Sequence, residues 1–531
     1  MSTTSPKVLL VFPKFSPNSF WNLQAVCDVW GARCPAPPLG LITLAALLLP
    51  SSWNLRLVNR NAEELTDADL AWADLVMTGG MLPQYNDAQV IIEMCKTRGK
   101  PVVVGAPMPC RDPMSTVTRT FSSSAKPKGL STSSSQPGLR APRPACSKAR
   151  SSRPTSPRAR RRVSTCSISS TISTSACSSL GAARSTVCDI IELYGRVPRA
   201  KTTEQMLTEI DTLYRLGHRG HVDFVDDNLI GNKKALKRFL PALIAWQKEH
   251  SYPFRFSTEA SMNLADDTEL LRMLREANFF LIFVGIESPD TSTLISMQKK
   301  QNTRRSLADS VHRIYQAGMV VIAGFIVGFD NETASVAEGM ADCIEATSIP
   351  VCMVGLLTAL PNTQLTRRLE KEGRVLPVTP SDGDQCTGGL NFITLRERRD
   401  VLADFRAVLK TIYDPVAYFE RVRTVGRMLD RPVLPHLFSA SNAWHDVKAF
   451  ARLIRCMTFR RTDLRPHFWR TVIDCLRNKP RNIETVLGNC AFYLHLGSFA
   501  QFLIADLDRK IEALDDEATR QPQLRKVAQT A

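Results

Sequence analysis

Polar and glycine-rich groups follow five short apolar segments in the second half of this 531-residue chain. They lie at 224–228 (FVDDN), 258–261 (TEAS), 285–288 (GIES), 324–330 (GFIVGFD) and 357–362 (LTALPN). Adjacent carboxylates such as Asp226 and Asp227 can bind an amino group, a ribose or a cation. A glutamate at the end of an apolar strand is costly to bury without a partner, and two glycines four residues apart let the backbone approach a flat ligand. Together the groups predict one ligand site built by several strands.

Each group has a simpler explanation when it is taken alone. Asp226 or Asp227 could cap the helix that follows, and a GxxxG pattern in a strand is a weak indicator. The regular series is stronger evidence than any single group, because the carboxyl ends of the strands carry the active site in α/β barrels.

The cysteines do not form a complete metal motif. The chain has 14 cysteines, and no two of them are spaced as CxxC or CxxxC. A long chain without a predicted signal peptide does not favour a disulfide framework. The expected state is reduced thiols, most of them buried as small apolar side chains.

A repeat of helix and strand must position the five groups. Helices are predicted at 204–216, 234–249, 267–277, 303–317 and 336–346 and from Gln364, and strands at 221–225, 254–258, 281–286, 320–327 and 351–357. This alternation predicts parallel βα units, as in a full or partial TIM-type barrel. Beyond 376 the prediction is helical, mainly at 396–413 and 446–514. That region is rich in arginine and aromatic residues, and packed helices with solvated faces are favoured over a binding patch.

The N-terminal part alternates in the same way. Strands are predicted at 7–12, 55–59, 74–79 and 101–105, and helices at 39–49 and 86–97. This order predicts an open parallel sheet of the Rossmann-like type, with helices on both faces. Ligands of such sheets bind at the carboxyl ends of the strands, which here carry 59–61 (NRN), 79–80 (GG) and 105–107 (GAP).

Residues 113–187 differ from both neighbouring parts. They hold 21 serines and no aspartate or glutamate, with runs such as 133–135 (SSS) and 160–162 (RRR). One interpretation is a disordered Ser/Arg/Pro linker, but a linker of that length inside an enzyme is unusual. The favoured interpretation is a segment out of frame, because a GC-rich gene translated in a shifted frame yields Ser, Arg, Pro and Ala.

The same segment explains most of the basic charge. The net charge is +17, and the 13 Lys and Arg at 113–188 account for all but +4 of it. A nucleic-acid-binding insert is therefore the least favoured hypothesis, which a steep salt dependence of RNA or DNA binding would support. The apolar stretch at 39–49 is too short to span a bilayer, and no signal peptide is predicted. We expect a cytoplasmic protein with no transmembrane segment and no nucleic-acid partner.

The groups at 224–228, 285–288 and 324–330, taken with 188–191 (CDII), resemble those of radical S-adenosylmethionine (SAM) enzymes. The N-terminal sheet, with 37–41 (PPLGL) and 102–107 (VVVGAP), is similar to the cobalamin (B12)-binding domain that precedes the barrel in the largest radical SAM subgroup. The C-terminal helices resemble the extension of the branch that includes hopanoid methylases.

The resemblance implies four parts of the chain. These are a truncated cobalamin-binding-like Rossmann domain at 1–112, the aberrant segment at 113–187, a radical SAM barrel at 188–376 that lacks its first strand, and a helical C-terminal region at 377–531.

The defining motif of the family is CxxxCxxC, whose three thiolates hold a 4Fe–4S cluster that binds SAM through its fourth iron. Cys188 matches the third cysteine of this motif, whereas the first two positions hold Gly181 and Ser185. The two positions that lack a cysteine fall at the end of the aberrant segment. This coincidence supports the frameshift hypothesis and implies impaired cluster binding in this chain.

The SAM-binding residues implied by the resemblance are Asp227, Glu259, Glu287, Ser288, Gly324, Ile326 and Gly328. The last three would lie against the adenine, Glu287 and Ser288 near the ribose or the methionyl part, and Asp227 near SAM or the substrate. The implied cobalamin-binding residues are Pro38, Leu39, Gly40, Gly79, Gly80 and Gly105. The chain has no DxHxxG sequence, so no histidine ligand is expected below the cobalt.

With an intact motif, the implied mechanism begins with cleavage of SAM to a 5′-deoxyadenosyl radical, which abstracts hydrogen from an unactivated carbon. Methylcobalamin then delivers a methyl group, and the cofactors supply the difficult chemistry. The expected partners are a small, lipid-like or polycyclic substrate and an electron donor such as flavodoxin or ferredoxin. Two alternatives stay open: a different radical SAM reaction (cyclisation, ring contraction or sulfur insertion), and a non-catalytic remnant.

Overall fold

The computed structural model describes residues 5–48, 53–105, 170–172, 200–297, 306–360, 363–377, 386–432 and 440–530. This part of the chain forms two parallel sheets and a C-terminal set of helices. The predicted α/β fold class is confirmed.

The N-terminal sheet has four parallel strands in the order β2-β1-β3-β4. Its elements are β1 (Lys7–Phe12), α1 (Gln24–Trp30), α2 (Leu39–Leu48), β2 (Asn54–Asn59), α3 (Asp67–Trp72), β3 (Leu75–Gly79), α4 (Tyr85–Thr97) and β4 (Val102–Gly105). Helix α2 packs on one face through Leu41 and Ala45, and α3 and α4 pack on the other through Leu70 and Ile91. The strand order reverses between β1 and β3, which is the point where sheets of this kind bind ligands.

The second sheet has six parallel strands in the order β10-β9-β8-β7-β6-β5, an open half-barrel. Its elements are β5 (Ser170–Ile172), α5 (Thr203–Arg215), β6 (Gly220–Phe224), α6 (Lys233–Glu249), β7 (Phe254–Glu259), α7 (Thr268–Glu276), β8 (Phe279–Glu287), α8 (Thr291–Ser296), α9 (Leu307–Gln316), β9 (Val320–Val327), α10 (Ala337–Thr347), β10 (Val351–Leu356) and α11 (Gln364–Lys371). The predicted strands agree with these bounds to within two residues.

Side chains of this sheet alternate between two environments, as the period of a β-strand requires. One side packs under the helices, where Phe224, Phe256 and Ile282 are fully buried. The other side is called the inner face here, and it carries His221, Asp223, Arg255, Ser257, Glu259, Phe283, Gly324 and Ile326.

Strand β5 lies inside the segment that the sequence predicts to be out of frame. It pairs in parallel with β6, with Ser170 opposite Val222 and Ile172 opposite Phe224. The sheet therefore has a strand at the edge where the sequence predicts that the first barrel strand is missing. The physical reason is that Ser-Thr-Ile contains no proline, so each residue keeps a backbone N–H that can pair with the open edge of β6.

Four helices were not expected from the sequence: Gln24–Trp30, Asp67–Trp72, Thr291–Ser296 and Pro415–Met428. Three of them are only six or seven residues long, so their apolar periodicity is too short to detect. The fourth helix, Pro415–Met428, had a helix-start signal in its sequence. Asp414 caps it by accepting from the backbone N–H groups of Val416 and Ala417, and Pro415 occupies the first turn.

The C-terminal region consists of helices α12 (Arg398–Ile412), α13 (Pro415–Met428), α14 (Ala440–Arg455), α15 (Arg465–Asn478) and α16 (Ile483–Thr530). These helices share one hydrophobic core with the half-barrel. Arg421 of α13 is buried at the junction, where its guanidinium donates to the carbonyls of Ile349 and Ile412 and pairs with Glu345. The barrel and these helices therefore form one packed body.

The N-terminal segment also contacts this body. The Phe20 ring packs against Phe499 of α16, with ring centroids 6.3 Å apart, and His495 donates through Nε2 to the Phe20 carbonyl at 3.1 Å. Arg452 of α14 donates to the Val29 carbonyl at 3.1 Å. Helix α1 is thereby attached to the C-terminal helices, far along the chain.

Among the described residues, one helix is long and apolar enough to cross a membrane, judged by length and composition, at Pro480–Glu517. Its most apolar part is 67% buried inside the protein. Such burial is typical of the core helix of a globular fold.

Candidate functional site

Carboxylates gather at the carboxyl ends of β6 and β7. Glu259 ends β7, and Asp226 and Asp227 follow β6. Glu259 is exposed to solvent, and the protein around it reduces the hydration of its carboxyl group. Burial, followed by the charges of Asp227, Asp223 and Asp226, raises its pKa to about 8. Such a group gains from a cationic ligand, which would stabilise the ionised form.

Asp226 and Asp227 do not cap the next helix. The cap of α6 is Asn232, whose side chain accepts from the Ala235 N–H at 3.1 Å. Asp226 is buried and accepts from the backbone N–H of Asn228 at 3.1 Å. The capping explanation therefore fails, and Asp227 is left exposed at the mouth of the site.

Asn228 ties the ends of β6 and β7 together. Its side-chain amide donates to Ser261 Oγ at 3.1 Å, and its Oδ1 accepts from the Ser261 N–H at 3.1 Å. Ser261 in turn donates to Asn263 Oδ1 at 2.6 Å. These bonds fix the two strand ends, and with them the relative positions of Asp227 and Glu259.

A polar chain runs along the inner face below Glu259. Ser257 Oγ donates to Asp223, and His221 Nε2 lies 2.6 Å from Ser257 Oγ and donates to it. Burial, followed by the charges of Arg255 and His218, lowers the pKa of His221 to about 3, so the imidazole is neutral. Burial raises the pKa of Asp223, although the hydrogen bond from Ser257 opposes this. These residues were not predicted from the sequence, yet the alternation of His221 and Asp223 with buried Val222 and Phe224 was a usable signal.

The end of β8 has an unusual backbone conformation. Glu287 has φ 69°, a left-handed conformation that side-chain-bearing residues rarely adopt. Ser288 follows it, is buried, and accepts from the Asp290 N–H at 3.2 Å. Strain of this kind is concentrated at functional sites, so the conformation supports the predicted ligand role of the GIES group.

Gly324 and Ile326 of β9 both lie on the inner face. A Cβ atom at Gly324 would sit 3.4 Å from the ring of Phe283. Gly285 is the register partner of Gly324 on β8. The Phe283 ring and the Met353 methyl group cover the position of the absent Gly324 side chain, so this part of the inner face is aromatic and apolar, which suits a planar ligand such as adenine.

Gly328 has a different environment. Its φ is 107°, and a Cβ atom there would lie 2.8 Å from Leu390 Cδ2. Its N–H donates at 2.9 Å to Glu332, which is buried and whose pKa is raised to about 7, chiefly by burial. Gly328 thus joins the strand end to the C-terminal region, and its predicted contact with the adenine stays a prediction.

The predicted cobalamin residues lie around the carboxyl edge of the N-terminal sheet. A Cβ atom at Gly79 would lie 3.3 Å from the carbonyl oxygen of Gly105, and one at Gly80 would lie 2.6 Å from Gln84 Oε1. Pro38 is buried immediately before α2, which begins with Leu39 and an open Gly40. The glycines of β3 and β4 therefore allow close packing inside the protein itself.

Other groups hold the same edge in place. Asn61 donates to the Pro13 carbonyl at 3.0 Å and accepts from the Phe15 N–H at 2.9 Å, and Gln84 also donates to Pro13. Thr78 of β3 is buried, and its hydroxyl has no hydrogen-bond partner among the described residues. An unpaired buried hydroxyl beside the switch point suits a polar group of a bound ligand.

The cysteines in the part of the chain that the structure describes form no metal site. Nine cysteines there are not in disulfides, and no three of the described His, Cys, Asp or Glu side chains group to hold a metal ion. Burial raises the pKa of Cys27 and Cys95 to about 11, which identifies them as packing residues. Cys188 lies outside the described residues.

Sequence comparisons identify relatives that span most of the chain. Residues 363–508 match a family described as a domain of unknown function, DUF4070. An uncharacterized methyltransferase of Synechocystis sp. is 36% identical over 523 residues, 97% of this chain and 96% of the relative. The hopanoid C-2 methylase of Rhodopseudomonas palustris is 33% identical over 441 residues, which is 79% of each chain.

Solved structures show the same fold at lower identity. The cobalamin-dependent S-adenosylmethionine radical enzyme OxsB is 13% identical with a TM-score of 0.50, covering 97% of this chain and 81% of that chain. A structure of OxsB with aqua-cobalamin and S-adenosylmethionine bound is similar to the same degree, at 12% identity and a TM-score of 0.50.

Proposed function

The chain belongs to the cobalamin-dependent radical SAM methyltransferase family, in the branch of the hopanoid C-2 methylase, and from this membership we propose its reaction. In its intact form the enzyme transfers a methyl group to an unactivated carbon of a small, lipid-like molecule. The observation that carries the proposal is the inner face of the half-barrel, where carboxylates at the ends of β6 and β7 and an aromatic, glycine-containing surface on β8 and β9 line the same side of one sheet.

The inner face fits SAM in charge and in shape. SAM carries an ammonium and a sulfonium charge, and Glu259 with Asp227 offers carboxylates at the mouth of the site. Gly324 and Ile326, with the Phe283 ring of β8 that covers Gly324, offer an aromatic and apolar surface for the adenine. Glu287 and Ser288 lie between these two parts, at the end of β8, because this strand pairs with β7 on one side and with β9 on the other. We assign these residues to the SAM site.

The N-terminal sheet fits cobalamin less specifically. The crevice between β1 and β3 is the position where sheets of this order bind cofactors, and the unpaired hydroxyl of Thr78 lies at its edge. Bound cobalamin would supply the methyl group, and the chain's own residues would hold and shield it. The residues that surround this edge, which we assign to the cofactor, are Pro38, Leu39, Gly40, Gly79, Gly80 and Gly105.

The 4Fe–4S cluster does not fit the chain as it stands. Three thiolates are required, and Gly181 and Ser185 occupy two of the three positions in the motif that ends at Cys188. We therefore propose that this chain folds and binds SAM but does not assemble a stable cluster.

Three further parts of the proposal concern the whole chain. The domain boundaries lie near 112, 188 and 376. The electron donor is of the flavodoxin or ferredoxin type, and the protein is cytoplasmic.

Reconstitution of the purified chain with iron and sulfide under anaerobic conditions tests this proposal. We expect far less than one cluster per chain by iron analysis and by the visible absorbance of the cluster, and no 5′-deoxyadenosine from SAM. Equilibrium dialysis with labelled SAM should still show binding. A stoichiometric cluster that cleaves SAM would contradict the impairment, and absence of SAM binding would favour the remnant alternative.

A repaired protein provides the matched comparison. The gene across 113–187 is resequenced and, if a shifted frame contains CxxxCxxC ending at Cys188, the restored protein is purified beside the present chain. We expect the restored protein to carry the cluster and to methylate an added polycyclic lipid. Formation of a cyclised, contracted or sulfur-containing product would instead identify a different radical SAM reaction.

A further inference from the structure

The outward face of helix α14 exposes large apolar side chains. Trp444 is 61% exposed, Val447 54% and Phe450 40%, and Phe459 in the helical turn that follows is 74% exposed. Large apolar side chains that cluster on a surface indicate an interaction site more often than scattered ones do.

These residues lie on one side because of their spacing. Positions 444, 447, 448, 451 and 455 recur at the helical period, whereas Phe450, four residues after Asp446, lies at the border with the buried side. The Lys448 ammonium lies 5.1 Å from the centre of the Trp444 ring. The opposite side is buried through Ala449, Leu453 and Met457. We call the outward side the Trp444 face and define it by Trp444, Val447, Lys448, Arg455 and Phe459.

The charge of this helix is also one-sided. Residues 440–460 contain four Lys and Arg and a single acidic residue, Asp446. Asp446 lies close enough to Arg255, on the half-barrel, to act on its pKa. Asp446 is exposed, but it lies two residues from Trp444 and therefore on the other side of the helix, so the Trp444 face itself presents apolar and basic side chains.

The helix is held firmly beneath this face. Arg452 donates to the Val29 carbonyl at 3.1 Å and fills the space beside Gly31. Trp469 of α15 donates through Nε1 to Thr458 Oγ1 at 3.2 Å. An amphipathic helix anchored by Arg452 at its edge and by the Trp469 hydrogen bond at its end offers its outer side as a rigid platform.

We propose that the Trp444 face binds the surface of a membrane that contains anionic lipids. Tryptophan and phenylalanine interleaved with lysine and arginine is the composition of helices that lie in the headgroup region, and the basic residues complement the negative charge of the lipids. The contact is at the surface, since the one long apolar helix among the described residues, Pro480–Glu517, is mostly buried in the core. The inference does not depend on the reaction that the inner face performs.

Sedimentation of the full chain with vesicles tests the inference. The vesicles are phosphatidylcholine alone or phosphatidylcholine mixed with phosphatidylglycerol. We expect binding to the anionic vesicles, weaker by about tenfold or more when Trp444→Ser is combined with Phe459→Ser, because each exposed ring buries apolar area in the headgroup region. Combining Lys448→Gln with Arg455→Gln should reduce the preference for anionic vesicles on the order of tenfold.

The matched control is a pair of apolar side chains that are equally exposed elsewhere. Ile393 is 54% exposed and Leu395 is 68% exposed, and Ile393→Ser combined with Leu395→Ser should leave vesicle binding unchanged. All replaced residues are on the surface, so circular dichroism should show the same fold in every variant. The proposal is overturned if the unmodified chain does not bind vesicles. It is also overturned if the Ile393 and Leu395 control variant loses as much vesicle binding as the Trp444 and Phe459 variant. Self-association that is lost with Trp444→Ser, without vesicle binding, would also overturn it and would assign the face to a second copy of the chain.

Discussion

The carboxyl group of Glu259 keeps its proton at pH values where a glutamate in water has lost it. Burial and three neighbouring aspartates raise its pKa to about 8. A raised pKa in the folded state means that the contribution of this group to stability is complete below its ordinary pKa and is lost as the pH rises through about 8. A bound cation reverses this preference, because it stabilises the ionised carboxylate.

We therefore predict that SAM binding releases a proton and strengthens as the pH rises from about 6 to 8. Calorimetry in buffers of different ionisation enthalpy measures the proton release. Glu259→Gln should remove most of it and weaken SAM binding on the order of tenfold, the effect of losing one hydrogen bond to a charged group. Glu338→Gln replaces an exposed carboxylate on α10. It should change neither the proton release nor the affinity for SAM. Proton release that persists in the Glu259→Gln chain would contradict the assignment.

At the scale of elements, the junction between β9 and the C-terminal region depends on one glycine. Gly328 has φ 107°, which favours glycine, and a Cβ atom there would meet Leu390. We predict that Gly328→Ala lowers the free energy of unfolding by about 2 kcal/mol, measured by urea denaturation.

Gly339 provides the matched control for this change. It lies inside helix α10, and no atom comes within 4 Å of the position where its Cβ would be. Gly339→Ala should stabilise the protein by about 0.5–1 kcal/mol, since alanine is the better helix former. If both substitutions changed stability in the same direction, the conformational explanation for Gly328 would be wrong.

The strands were predictable from the sequence because each is a buried apolar run between helices that show their own periodicity. Asp227, Glu259 and Gly324 were predictable for the same reason, since they end or line these runs. The hydrogen bonds from His221 through Ser257 to Asp223 were not, because they join neighbouring strands whose register no local pattern fixes. The role of Gly328 was also hidden, since it depends on a leucine at position 390, far later in the chain.

At the scale of the whole molecule, the described residues form one large core and two small ones. The large core joins the half-barrel to the C-terminal helices, whereas the N-terminal sheet has separate small cores on its two faces. We predict that β1 to β4 lose hydrogen-exchange protection at lower urea concentrations than β6 to β10, because less apolar area is buried around them. Exchange measured by mass spectrometry checks this, and simultaneous loss in both sheets would show a single cooperative unit.

Strand β4 forms the outer edge of the N-terminal sheet in the part of the chain that the structure describes. Its sequence, VVVG, carries no charge, and Val103 is 44% exposed. The hydrogen-bonding groups along such an edge can pair with the same edge of another molecule. In a cell, the amount of this protein would then be set by aggregation and by proteolytic quality control as much as by its chemistry. A change of reading frame that begins just after β4 would thus reduce the number of folded molecules as well as the activity of each one.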